Sequence, residues 1–227
     1  MEATFCFVDL AGFSALTETH GDDAGADLAQ RFAAMTQSAL RDDGRLVDTV
    51  GDAVFLASET PSRMLRAVAR LWREAEATPD FPAVRAGIHH GDAVLRDGRW
   101  FGTSVNVAAR VAALASGGHV LATSAVAAVA RTEGIPVEGL GFVALKNIRE
   151  RMELFSIVIG ADSGSAVDPV CRMRVQPGSC AGHLRFGERD FWFCSLRCVA
   201  EFAANPEAHA QLGESAVAQA PARKLAP

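Results

Sequence analysis

Residues 45–58 read RLVDTVGDAVFLAS, two strand-like runs around a Gly-Asp dipeptide, and this segment constrains the fold more than any other. Two short apolar runs separated by turn residues are the signature of a β-hairpin. The hairpin is flanked by helical patterns. From about Asp23 to Leu40, Leu28, Phe32, Met35 and Ala39 recur at helical spacing. Pro61 opens a second helix, in which Leu65, Val68 and Trp72 keep the period. Before the first helix, TFCFVD (4–9) reads as a buried strand, with residues 10–14 as the loop after it. After the second helix, VRAGIHH (84–90) is a strand. The order β-α-β-β-α-β predicts an α+β chain with a ferredoxin-like core. That arrangement is expected to give an antiparallel sheet with helices on one face. Extra α and β elements follow: an alanine-rich helix over 104–115, a strand at HVLAT, a helix from Thr123 as cap to Arg131, and strands near 137–144 and 152–159.

Composition enters as a set of exclusions. At 227 residues, 49% hydrophobic and 22% charged, the chain can bury a core without disulfide help and is neither collagenous nor wholly disordered. No apolar run approaches the 18 or so residues that span a bilayer. The start shows no basic, apolar and cleavage-site succession, so no secretory signal, no membrane and a cytoplasmic location are expected. The net charge of -5 argues against a nucleic-acid surface. That charge is uneven. Residues 1–160 hold 15 Arg/Lys against 20 Asp/Glu, whereas residues 161–227 hold 7 of each. Four of the five cysteines fall between Cys171 and Cys198. Together with the Gly/Ser stretch 160–167, this predicts a first domain over 1–159, a linker, a small Cys-rich module over 168–212 and a loose tail over 213–227.

Asp9 ends the first strand and Asp52 lies in the hairpin turn. In a βαββαβ sheet these strands are neighbours, so both carboxylates can reach one spot. Paired carboxylates near phosphate are the usual ligands of Mg²⁺ or Mn²⁺, and two such ions suit in-line displacement at phosphorus. Asp52 as a simple turn residue and Asp9 as a strand end remain open. Gly12 lies in a loop whose backbone N–H groups can cradle phosphate, although loop closure alone explains a glycine there. Asn106 and Arg110 are i and i+4 on one helix and share a face. They can reach one ligand together or be ordinary surface residues. Lys146 is one of two lysines against 20 arginines, a compact charge for phosphate or a chance survivor.

Taken together, FCFVDLAGFSALTE, RLVDTVGDAVFLAS, GIHHGDAV, FGTSVNVAARVAALASGGHVLAT and LKNIRERMELFSI resemble, in order and spacing, the catalytic domain of class III nucleotide cyclases. The resemblance covers roughly residues 3–158. It implies a homodimer with active sites at the interface and a purine nucleoside triphosphate as substrate. Asp9, Asp52 and the Leu10 backbone would hold two Mg²⁺ or Mn²⁺ ions. Gly12, Phe13 and Lys146 would bind the triphosphate. Asn106 would orient the ribose from the partner protomer, and Arg110 would stabilise charge on the α-phosphate. At the base-specifying positions the chain departs from the adenylate-forming pattern. Asp48 stands where those members carry Lys, and Arg99 where they carry Asp or Thr. An acceptor at Asp48 suits guanine N1–H and amino groups, and a donor at Arg99 suits O6 or N7. GTP is therefore expected to serve at least as well as ATP. An Asp48–Arg99 pair, leaving the pocket unselective, is the other outcome. A degenerate domain that binds nucleotide without turnover, as a sensor or metal-binding regulator, is the alternative function.

In the module, Cys194 and Cys198 lie four apart, with Ser195 able to cap the helix that carries Cys198. Cys171 can join them, with Cys180 or His183 as fourth ligand of a Zn²⁺ or Cu⁺ site. DPVC-x-M, FCS-x-x-C and a final F-x-x-NP resemble the YHS domain, a small metal-binding module. Cys6 reads as a core residue.

Overall fold

The computed structural model describes residues 1–79, 81–160 and 166–211. The N-terminal region runs β1 (Glu2–Leu10), α1 (Phe13–His20), α2 (Asp22–Leu40), β2 (Arg45–Val50), β3 (Ala53–Ser58), α3 (Pro61–Ala77), β4 (Val84–Asp92), β5 (Val94–Arg96), β6 (Arg99–Phe101), α4 (Thr103–Leu114), β7 (Val120–Thr123), α5 (Ser124–Thr132), β8 (Val137–Val143) and β9 (Met152–Ile157). One seven-stranded sheet has the order β2-β3-β1-β4-β7-β9-β8. Its first four strands are the ferredoxin-like arrangement.

The four core strands pair antiparallel as expected, with α2 and α3 on one face, and the added elements change the whole sheet in two ways. It is mixed, because β7 pairs with β4 in parallel. A parallel neighbour needs a crossover, and α4 supplies it between β4 and β7. The helices also cover both faces. Side chains alternate along a strand, and β1 is apolar on both sides. Cys6, Val8 and Leu10 pack with Phe32 of α2, Trp72 of α3 and Val126 of α5. Ala3 and Phe5 face the other way, onto Ala108 of α4. The small residues of α4 permit a very close approach: a Cβ on Gly87 of β4 would lie 2.0 Å from the Ala112 nitrogen.

Local signals hold at α3, where Pro61 follows the cap Thr60, whose hydroxyl accepts from the Arg63 N–H at 3.4 Å. The cap expected at α5 differs. Thr123 stands at that position but makes no capping hydrogen bond; its hydroxyl meets His89 Nδ1 at 2.8 Å instead. Residues 13–14, expected in a loop, already belong to α1. The β5–β6 hairpin turns at Asp97 and Gly98, both with left-handed φ.

The C-terminal region has β10 (Ala166–Val167), β11 (Arg174–Val175), a 3-10 turn at Pro177–Ser179, β12 (Gly182–Phe186), β13 (Arg189–Phe193), α6 (Leu196–Ala204) and α7 (Pro206–Gln211). Ala166 and Val167, the end of the expected linker, pair with β11 and so belong to the module. Residues 161–165 of that linker and the expected tail 213–227 lie outside the described residues. No helix among the described residues is long and apolar enough to cross a membrane.

Candidate active site

The antiparallel registers bring the predicted acidic residues together. Asp9 of β1 lies opposite Ala53 of β3, immediately after Asp52 in the turn. Burial raises the Asp52 carboxyl above the ordinary carboxylate range; the Asp9 charge pushes the same way, and the Leu10 amide pulls against both. On the other side of β1, Asp9 lies opposite Arg85 of β4. The Arg85 guanidinium grips both oxygens of Asp9: Nε donates to Oδ1, and Nη2 to Oδ2 at 3.0 Å. Its Nη1 also donates to the Ala115 carbonyl, just past the end of α4, at 3.4 Å. Sequence reasoning passed over Arg85. A charged residue in the alternation of VRAGIHH, in register with Asp9, was the available signal.

The same face of the sheet carries the base-specifying candidate. Asp48 pairs with Phe55, which pairs with Phe7, two residues before Asp9. Phe7 and Phe55 stack at 4.5 Å. Asp48 is exposed, and its Oδ1 accepts from the Thr49 amide at 2.9 Å. Arg99 is exposed at the turn end of β6, in register with Arg96. Among the described residues no ion pair joins Arg99 to Asp48. The β5–β6 hairpin closes over this face through Trp100, whose ring meets Phe5 edge-on at 5.2 Å.

Gly12 occupies the left-handed region at φ 75 and stands at the N-cap of α1. A side chain there would be strained whatever the space. Phe13 opens α1 and packs partly against the main core. Asn106 and Arg110 lie on the exposed face of α4, opposite the buried Val107 and Val111. Neither makes a side-chain hydrogen bond or ion pair among the described residues. Lys146 is exposed in the loop between β8 and β9.

In the C-terminal module, Asp168 organises the cysteines. Its carboxylate is buried; Oδ1 accepts from the Val170 N–H at 2.8 Å and the Cys171 N–H at 3.3 Å, and Oδ2 from the Cys194 N–H at 2.8 Å. Ser195 caps α6 by accepting from the Cys198 N–H at 3.2 Å. All five cysteines are free. Hydrogen bonds from the Cys171 and Cys194 thiols pull the Cys198 thiol below the ordinary thiol range. The expected fourth member differs. His183 Nε2 lies 3.0 Å from Asp190, and neither it nor Cys180 belongs to the cluster; His20 of α1 does.

Comparison with known proteins fits the N-terminal domain. The adenylate and guanylate cyclase catalytic domain family matches residues 1–159, most of the chain, and the protein belongs to that family. Among curated relatives, a pH-sensitive adenylate cyclase of Mycobacterium tuberculosis is 34% identical over 164 residues, covering 70% of this chain and 41% of that protein. An adenylate cyclase of Glutamicibacter nicotianae is 34% identical over 128 residues, covering 56% of this chain and 32% of its own length. The chain thus spans less than half of either relative. The structure of an adenylate/guanylate cyclase/hydrolase from Silicibacter pomeroyi is 28% identical, with a TM-score of 0.61, covering 71% of this chain and 98% of that one. The fold of the P. aeruginosa adenylyl cyclase CyaB matches with a TM-score of 0.58 at 20% identity, over 71% of this chain and 95% of that one.

Proposed function

We propose that this chain converts a purine nucleoside triphosphate to its 3′,5′-cyclic monophosphate and pyrophosphate. The observation that carries this reading is the convergence of Asp9 and Asp52 beside the Gly12 loop, in a chain of the cyclase family. The 3′-hydroxyl oxygen bonds to the α-phosphorus, the bond to the pyrophosphate oxygen breaks, and the hydroxyl proton departs.

Hard oxygen donors in a patch of negative charge fit Mg²⁺ or Mn²⁺. Asp9, Asp52 and the Leu10 carbonyl would hold two such ions, whose chemistry is to offset phosphate charge and acidify the 3′-hydroxyl. Arg85, bonded to both of its oxygens, fixes Asp9 in direction. The Gly12 and Phe13 amides and Lys146 take the triphosphate. Asp48 and Arg99 read the base, and their polarity favours guanine at least as well as adenine.

Asn106 and Arg110 point outward, so the reading gives them to the site of a second copy, to orient ribose and stabilise charge on the α-phosphate. Val50, 71% exposed beside the Asp52 turn, and Phe101, 53% exposed beside Arg99, support burial against that copy. The C-terminal region is read as a YHS-like metal-binding module, and the protein as a cytoplasmic one.

The test is incubation of the pure protein with Mn²⁺ or Mg²⁺ and either ATP or GTP, followed by assay of the cyclic nucleotide. Asp9→Ala should lower product formation by about 10³-fold, as expected when several kcal/mol of charge stabilisation are lost. GTP turnover tenfold below that of ATP would sink the base assignment alone. No product in any pairing, with nucleotide still bound, would favour the sensor reading.

A further inference from the structure

Four ligand atoms from distant points of the chain converge where the module meets the cyclase domain. Cys171 follows the turn organised by Asp168, Cys194 follows β13, and Cys198 lies in the first turn of α6. The fourth, His20, is the last residue of α1 in the cyclase domain. The Cys194 sulfur lies 3.3 Å from that of Cys171, 3.8 Å from that of Cys198 and 3.9 Å from His20 Nε2. All four atoms lie within 4.8 Å of one another. Bond lengths to tetrahedral zinc place neighbouring ligands about 3.5–3.8 Å apart. The carboxylate of Asp168 fixes the amides of Cys171 and Cys194, the kind of support that ligating residues require.

We propose that His20, Cys171, Cys194 and Cys198 form a Cys₃His site for Zn²⁺ that joins the module to the cyclase domain and clamps α1 at both its ends. Three thiolates and an imidazole in tetrahedral reach suit this cation rather than Mg²⁺ or Ca²⁺. The second end of the clamp is Arg172, the residue after the ligand Cys171. It is held at φ 65, and its stem lies on Gly12, so that a Cβ there would come within 2.0 Å of Arg172 Cγ. Met173 continues the contact in a bridge to Pro82. One cation therefore fixes His20 at the end of α1, while the neighbour of its ligand covers Gly12 at the start. That metal occupancy thereby reaches the triphosphate loop rests on the cyclase reading; the site itself does not.

The test uses the full chain, reduced and stripped of metal, titrated first with Co²⁺ as a spectroscopic probe and then with Zn²⁺. One equivalent should bind, giving thiolate-to-cobalt charge transfer and the intense visible bands of a tetrahedral site, bleached by Zn²⁺. His20→Ala should weaken Zn²⁺ binding at least about tenfold and alter the visible bands. His20→Cys should restore tight binding. Cys180→Ala and His183→Ala should leave affinity and spectrum unchanged. Zn²⁺ should slow amide exchange across residues 12–20 in the wild-type chain but not in His20→Ala. No uptake by the reduced wild-type chain would overturn the proposal, as would an unaltered His20→Ala titration or a loss caused by His183→Ala instead. Zn²⁺ uptake without protection of residues 12–20 would overturn the clamp.

Discussion

The cyclase domain buries Phe5, Phe32, Leu65 and Trp72 across both faces of a seven-stranded sheet. Among its described residues the C-terminal module has one small cluster, in which Phe193 and Phe202 pack with Phe191, Val170, Cys171 and Cys198. In the cyclase domain, the residues that hold the fold and those assigned chemistry are mostly different. Asp9, Asp52, Asn106 and Arg110 sit at strand ends, in a turn and on a helix face, outside the core. In the module, Cys171 and Cys198 are at once core and candidate ligand. A small core rarely supplies more than about 3–5 kcal/mol, so the module has little reserve apart from its ligands.

The largest effect that could break this comparison comes from truncating one aromatic residue in each domain. Phe202→Ala and Trp72→Ala should each cost about 3–5 kcal/mol. In the module that removes all protection from amide exchange over β12, β13 and α6 in the metal-free chain. In the cyclase domain the sheet should stay protected. Equal loss in both, followed by exchange mass spectrometry, would show that the two domains do not differ in reserve.

A smaller effect concerns acid. Burial, with help from His90, lowers the His89 imidazole from 6.5 to about 4. The neutral ring is favoured in the fold and the unfolded chain takes up the proton first. Its contribution to stability is therefore complete above about pH 6.5 and is lost as pH falls from there toward 4. His89→Gln should flatten the fall of melting temperature over that window in the cyclase domain. Parallel curves for the two proteins would refute the assignment.

The smallest effect sharpens the comparison through helix caps. Ser195→Ala and Thr60→Ala each remove one capping acceptor, worth about 1 kcal/mol. The loss at Ser195 should be visible in the metal-free chain and shrink once Zn²⁺ is bound. The loss at Thr60 should not respond to metal. Thermal melts with and without Zn²⁺ separate the two.

Where periodicity is strong, the fold was legible. The 45–58 hairpin and the helix opened by Pro61 stand where the pattern put them. α1 was missed because FSALTETH buries only Leu16 and begins at a glycine with no capping side chain. Parallel pairing of β7 and the second helical layer leave no local signal, since they depend on how α4 meets Gly87. The acidic pair was legible because both residues flank strands that must be neighbours. Arg85 needed the register between β1 and β4. His20 could not be read at all: a lone histidine ending a polar helix gains its partners only from a module more than 140 residues later in the chain.

The stem of Arg172 over Gly12 bears on how such a protein should be studied. Trimming the chain near residue 160 to obtain a tidy catalytic piece would strip the cover from that glycine and bare the surface around Pro82 on which Met173 packs. A trimmed enzyme would then report the kinetics of an unroofed loop. Comparing it with the whole chain, rather than substituting for it, would measure what the roof contributes.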